Sequence, residues 1–262
     1  MSLAALPSRA TALRRVSVTA RTAGAMLLDM LLPPRCAACD EAVERQGQFC
    51  FKCFGAARFI AEPACRCCGV PFENAGLAGP DRVCVECAAQ PPAWRQARAA
   101  FVYGEFSRRL ILPLKYGDRT EMAAVLGAHM ARAGQRLLVG ADVLVPVPLH
   151  RRRLRRRRYN QAALLCRALS RSTGVPFGLD VLRRVKATAP LAGLGGQDRL
   201  ASLSGAIEVR ETRRSVVAGR SVVLVDDVLT TGATASACAA ALMAAGAASV
   251  DVLAAARTVR DG

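Results

Sequence analysis

Cysteine constrains this chain more than any other residue. Nine of its eleven cysteines lie between positions 36 and 87, and only Cys166 and Cys238 lie elsewhere. Eight of the nine form ordered pairs: Cys36-x-x-Cys39, Cys50-x-x-Cys53, Cys65-x-x-Cys68 and Cys84-x-x-Cys87. A C-x-x-C turn sets two thiolates on one side of a tight loop, at the separation a tetrahedral metal needs. Two such knuckles complete a four-thiolate site. The intervening stretches, 40–49 and 69–83, are long enough for the second knuckle of each module to return to the first. The expectation is two structural zinc sites with no open coordination position, in a region too poor in apolar periodicity to fold without metal. Disulfides would require an oxidising compartment, and no export signal supports one. An iron–sulfur cluster also takes four thiolates, but paired knuckles favour zinc. A redox dithiol would want a strand–helix setting. Cys67, inside Arg-Cys-Cys-Gly, competes with its neighbours as a ligand, although the x-x spacing selects Cys65 and Cys68.

The rest of the chain has a different texture. Residues 1–34 form a basic leader with a short apolar helix at 23–32, closed by Pro33-Pro34. Its Arg, Ser and Thr content matches a transit peptide, but a basic tail explains it as well and is the reading preferred. Residues 35–90 hold the cysteine modules, and Gln90-Pro91-Pro92 reads as a linker. From 93 to 262 strand and helix patterns alternate. Strands are expected at 98–103, 143–147, 221–225 and 249–255, and helices at 107–116, 120–133, 160–172 and 234–245. That order predicts parallel βαβ units in an open α/β sheet with helices on both faces, preceded by the small cysteine domain. No apolar run is long enough to span a bilayer. A cytoplasmic location is expected.

The segment Val222–Thr234, VVLVDDVLTTGAT, carries the chemistry. A β-branched strand delivers Asp226 and Asp227 to its C-terminal end, where open α/β sheets bind ligands. Thr230, Thr231, Gly232, Ala233 and Thr234 then open directly into a helix. Backbone N–H groups in such a turn cradle an anion, and the hydroxyls add donors. The carboxylates suit ribose hydroxyls or a hydrated Mg2+. No Gly-Lys-Ser/Thr follows, so this is not a Walker A loop. A second strand end, at 147, leads into His150–Arg158, which holds seven arginines. Guanidinium forks at Arg151, Arg152 and Arg153 suit a pyrophosphate. Lys115 is a further phosphate candidate. The surplus of arginine, with a net charge of +17 and a pI near 10.5, suits a nucleic-acid backbone. Trp94, Tyr116 and Tyr159 are possible base-stacking residues, with packing the commoner use of each.

These residues resemble two things at once. Val222–Thr234 resembles the phosphoribosyl-pyrophosphate (PRPP) motif of type I phosphoribosyltransferases. The whole layout resembles the ComF family, a double zinc ribbon followed by a phosphoribosyltransferase domain. The pieces that match are 31–39, 65–69, 114–119, 142–162, 179–190 and 222–257. The resemblance implies PRPP and Mg2+ as ligands, with Asp226 and Asp227 as the catalytic residues if the protein turns PRPP over. It also implies single-stranded DNA and the DNA-uptake machinery of natural transformation as partners, and a homodimer. A phosphoribosyltransferase of nucleotide metabolism and a PRPP-sensing regulator are the alternatives. The chain departs from the family at Leu191, Gly195-Gly196 and Ser202, in the stretch expected to form a mobile loop over the site. Those departures bear on turnover rather than on PRPP binding.

Overall fold

The computed structural model describes residues 33–74, 76, 79, 81–150, 154, 155, 157–185 and 205–259. The expected helix at 23–32, Arg151–Arg153 and the departures at 191–202 lie outside them.

Elements follow in chain order. Short helices α1 (Phe51–Ala56) and α2 (Val85–Ala89) each carry one cysteine of a knuckle. Then come β1 (Ala97–Val102), α3 (Glu105–Tyr116), α4 (Met122–Ala133), α5 (Gln135–Val139), β2 (Val143–Pro146) and α6 (Gln161–Thr173). A two-stranded antiparallel pair, β3 (Leu182–Arg184) and β4 (Ile207–Val209), precedes β5 (Ser221–Leu229), α7 (Ala233–Ala244) and β6 (Ser249–Arg257). The main sheet has the order β1-β6-β5-β2 and is parallel throughout. The expected strand and helix order is therefore observed. The pair β3–β4 has no counterpart among the expected strands, because three-residue strands carry no periodicity.

Period-two alternation builds the core. Val222 and Leu224 of β5 pack with Val250, Val252 and Ala254 of β6 against Ala235, Cys238, Ala239 and Leu242 of α7. Val223 and Val225 are buried as well and point to the other face. Helices α4 and α6 cover that face, with Leu126, Met130, Leu165 and Leu169 fully buried. Cys166 and Cys238 are buried apolar residues of the helices, as their setting in the sequence implies.

The described residues fall into two compact units, with the boundary between Phe54 and Gly55. The sequence places a boundary near 90–93. In the structure the second cysteine module belongs to the same unit as the parallel sheet. Phe59 bridges to Phe101 of β1, and the Ala97 amide donates to the Arg66 carbonyl at 3.2 Å.

Candidate functional site

Register sets the site. β2 pairs with β5 only as far as Pro146 opposite Val225, whereas β6 follows β5 to Leu229 opposite Arg257. Asp226 and Asp227 thus lie just beyond the point where β2 departs, on the C-terminal edge of the sheet. The sequence pattern ends the strand at Val225; pairing with β6 carries it through both aspartates. The Asp227 amide donates to Asp226 Oδ1 at 2.8 Å. Burial first, and the charge of Asp227 second, push the Asp226 carboxyl up to about 7. Lys115, at the end of α3, is mostly buried and places its Nζ 2.7 Å from Asp227 Oδ1. The isolated lysine of the sequence is therefore an ion-pair partner within the site.

Beyond Leu229 the chain turns through Thr230 and Thr231 into Gly232, whose φ of +80° belongs to the left-handed region. Gly232 is the N-terminal flank of α7. Residues 230–235 line a small cavity of about 50 Å³ at that turn, together with Asp226 and Leu229. The cavity is the right scale for one phosphate-sized group, and backbone donors at a helix start favour an anion.

Arg157 completes the electrostatics. Its Nη1 donates to Gln161 Oε1 at 2.9 Å and its Nη2 to the Tyr116 hydroxyl at 3.1 Å, with the guanidinium 4.9 Å from the Tyr116 ring centroid. Its charge acts on Asp226, as does that of Lys115. Nothing in the sequence distinguishes Arg157 from its neighbours. Arg155 and Arg158 reach towards solvent, and Arg158 pairs with Asp118 at 3.4 Å. Asn160 fixes this segment to the sheet: its Oδ1 caps α6 through the Ala162 amide, and its Nδ2 donates to the Val147 carbonyl. Of the aromatic candidates, Trp94 is buried, the Tyr159 hydroxyl donates to the Leu114 carbonyl at 2.9 Å, and Tyr116 is exposed beside Arg157.

Both cysteine groups assemble as the spacing requires. The sulfurs of Cys36, Cys39, Cys50 and Cys53 lie within 4.8 Å of one another, as do those of Cys65, Cys68, Cys84 and Cys87. Cys39 and Cys50 are 3.6 Å apart and Cys68 and Cys84 are 3.7 Å apart. A tetrahedral zinc with Zn–S bonds of about 2.3 Å puts sulfurs about 3.8 Å apart, so the donor set fits. Amides of Cys50 and Cys84 donate to the sulfurs of Cys36 and Cys65. The Cys68 thiol and backbone amides lower Cys65 to about 4. Burial would raise Cys36, but the amides of Cys50, Ala38 and Cys39 outweigh it and bring the thiol to about 7. Cys67 stands outside the group of four.

Comparison with known proteins matches two separate stretches of the chain. The double zinc ribbon domain family matches residues 27–88, and the phosphoribosyl transferase domain family matches residues 158–259. DNA utilization protein YhgH of Salmonella typhimurium is 34% identical over 215 residues, covering 79% of this chain and 90% of the relative. Competence protein F of Haemophilus influenzae is 34% identical over 157 residues, 58% of this chain and 68% of the relative. Competence protein ComFC of Bacillus subtilis is 26% identical over 196 residues, 71% of this chain and 73% of the relative. Among solved structures, an allosteric regulatory enzyme of purine biosynthesis aligns at a TM-score of 0.36 and 24% identity. It covers 55% of this chain, which spans only 29% of that one. Among the described residues no helix is long and apolar enough to cross a membrane.

Proposed function

This chain belongs to the ComF family, which includes the DNA utilization protein YhgH, and from that premise we propose that it binds PRPP with Mg2+ and serves DNA utilization by also holding single-stranded DNA. One observation carries the first half. Two adjacent carboxylates, a mostly buried lysine and an anion-sized turn at a helix start converge on one sheet edge. Asp226 and Asp227 hold the ribose hydroxyls and the Mg2+. Such hard carboxylate oxygens suit that ion, and a dication relieves the repulsion that raises Asp226. The amides and hydroxyls of Thr230–Thr234 hold the 5′-phosphate. Lys115 and Arg157 supply positive charge where the pyrophosphate end lies, and Arg151–Arg153, earlier in the same run, add to it. If PRPP is turned over, the C1–O bond to pyrophosphate breaks as an acceptor nucleophile bonds to C1, and these cations stabilise the departing charge.

Isothermal titration of folded, zinc-loaded protein with PRPP and Mg2+ tests this reading. Saturable binding that Asp227→Asn abolishes is expected, and no binding by wild type refutes it. Pyrophosphate release across a panel of bases and amines separates an active transferase from a binding protein. The DNA half draws on the relatives and on the solvent-facing Arg155 and Arg158. The salt dependence of single-stranded DNA affinity should become shallower in Arg155→Ala/Arg158→Ala, by roughly 0.7 for each phosphate that is no longer neutralised. Identical slopes remove these arginines from DNA binding.

A further inference from the structure

The second ribbon shares its compact unit with the phosphate turn, and two side chains join them. Trp94 is 7% exposed. Its indole N–H donates to the Cys67 carbonyl at 2.6 Å, within the knuckle that presents Cys65 and Cys68. The far edge of the same ring lies against Gly232, where an added Cβ would sit 2.5 Å from Trp94 Cη2. Arg257, the last residue of β6, makes the second tie. Its Nε donates to the Cys68 carbonyl at 3.1 Å. Its Nη1 donates to the Leu229 carbonyl at 3.1 Å and to the Thr230 carbonyl, at the entry to the turn. Between ribbon and turn lies a cavity of about 560 Å³, lined among others by Cys84, Cys87, Thr231 and Ser236. Trp94 and Arg257 are among the walls of this cavity and bridge from the ribbon to the turn.

We propose that the second zinc ribbon is a positioning element for the phosphate turn, acting through Trp94 and Arg257. This rests on the reading of residues 230–234 as an anion cradle. An anion is gripped by the directions of several amides at once, so the turn must be held in shape before the ligand arrives. The carbonyls of Cys67 and Cys68 are fixed points only while their knuckle is closed around a metal. The ribbon has little core beyond its cysteines, Val70, Phe72 and Val83. Cys67 thus has a use that its thiol does not reveal: its backbone oxygen anchors Trp94. The first cysteine cluster belongs to the other compact unit and supplies the control.

The chain has one tryptophan, so emission from Trp94 reports directly on this contact. The full chain is compared as wild type, Cys84→Ser and Cys50→Ser, with zinc content, tryptophan emission and deuterium uptake in residues 229–236 measured on each. Cys84→Ser should lose one zinc, shift emission to longer wavelength and raise uptake in the turn. It should also weaken binding of PRPP with Mg2+ by about tenfold or more, the loss of one or two hydrogen bonds to a charged group. Cys50→Ser should lose one zinc and leave the emission and the turn as in wild type. Arg257→Lys, which keeps both metals, should raise uptake in the turn if Cys84→Ser unfolds the ribbon altogether. Chelation followed by zinc return should restore the emission. The proposal is overturned if the turn and the emission are unchanged after the second zinc is lost, or if Cys50→Ser loosens the turn equally. Should wild type bind no PRPP, the cradle reading fails, while emission and exchange still decide the coupling.

Discussion

Replacing Asp226 by asparagine should make the protein more stable and less able to bind its ligand. The sign follows from the carboxyl's environment. Its pKa is about 7 in the folded chain against 3.8 for the group alone, because burial and the charge of Asp227 disfavour ionisation. Between those values the folded state holds a proton that the unfolded state has released. Stability therefore falls as pH rises through that window, and the full penalty stands above pH 7. A shift of about three units at about 1.4 kcal/mol each sets a ceiling of about 4 kcal/mol at pH 8. At pH 5 only about one unit of the shift is expressed, less than half of that ceiling. Asn mimics the protonated form and avoids the penalty. Urea unfolding of ligand-free Asp226→Asn and wild type at pH 8 and pH 5 should show a gain at both, more than twice as large at pH 8. A stability gain of that size corresponds to a Tm rise of several degrees for a domain of this length. Equal gains at the two pH values, or no gain at pH 8, would refute the electrostatic account. The same variant should lose Mg2+-dependent PRPP binding, since a neutral amide does not replace a carboxylate beside a dication.

Three further outcomes follow from single contacts. Gly232→Ala places a Cβ 2.5 Å from the Trp94 ring at a φ of +80°, and should cost about 2–4 kcal/mol in urea unfolding; a cost under about 1 kcal/mol contradicts the close approach. Asn160→Ala removes the cap of α6 and the bond to the Val147 carbonyl, and should lower stability by about 2 kcal/mol. Metal analysis of protein purified without chelators should give two zinc ions per chain, one removable by Cys50→Ser and the other by Cys84→Ser; a single zinc in wild type contradicts the two sulfur clusters.

What the sequence makes legible is local. Apolar β-branched residues along Ser221–Val225 specify a strand, and the C-x-x-C spacing specifies two clusters, because each pattern is read within a few residues of itself. What escapes is every pairing between distant segments. Lys115 reads only as a phosphate candidate on a helix, and its 2.7 Å ion pair with Asp227 of β5 appears only in the fold. Arg157 is one arginine among seven. Only the fold turns it towards Tyr116, Gln161 and Asp226 while Arg155 and Arg158 face solvent. Cysteine spacing likewise says how a knuckle closes and nothing about what its outer surface touches. It therefore carries no sign that the carbonyls of Cys67 and Cys68 receive Trp94 and Arg257. In the sequence, Gly232 is a residue that frees amides for an anion. The structure adds a second reason for glycine there, since the indole leaves no room for a side chain. The strand-to-helix turn is thus shaped from both sides, by the aspartates that precede it and by the ribbon behind it.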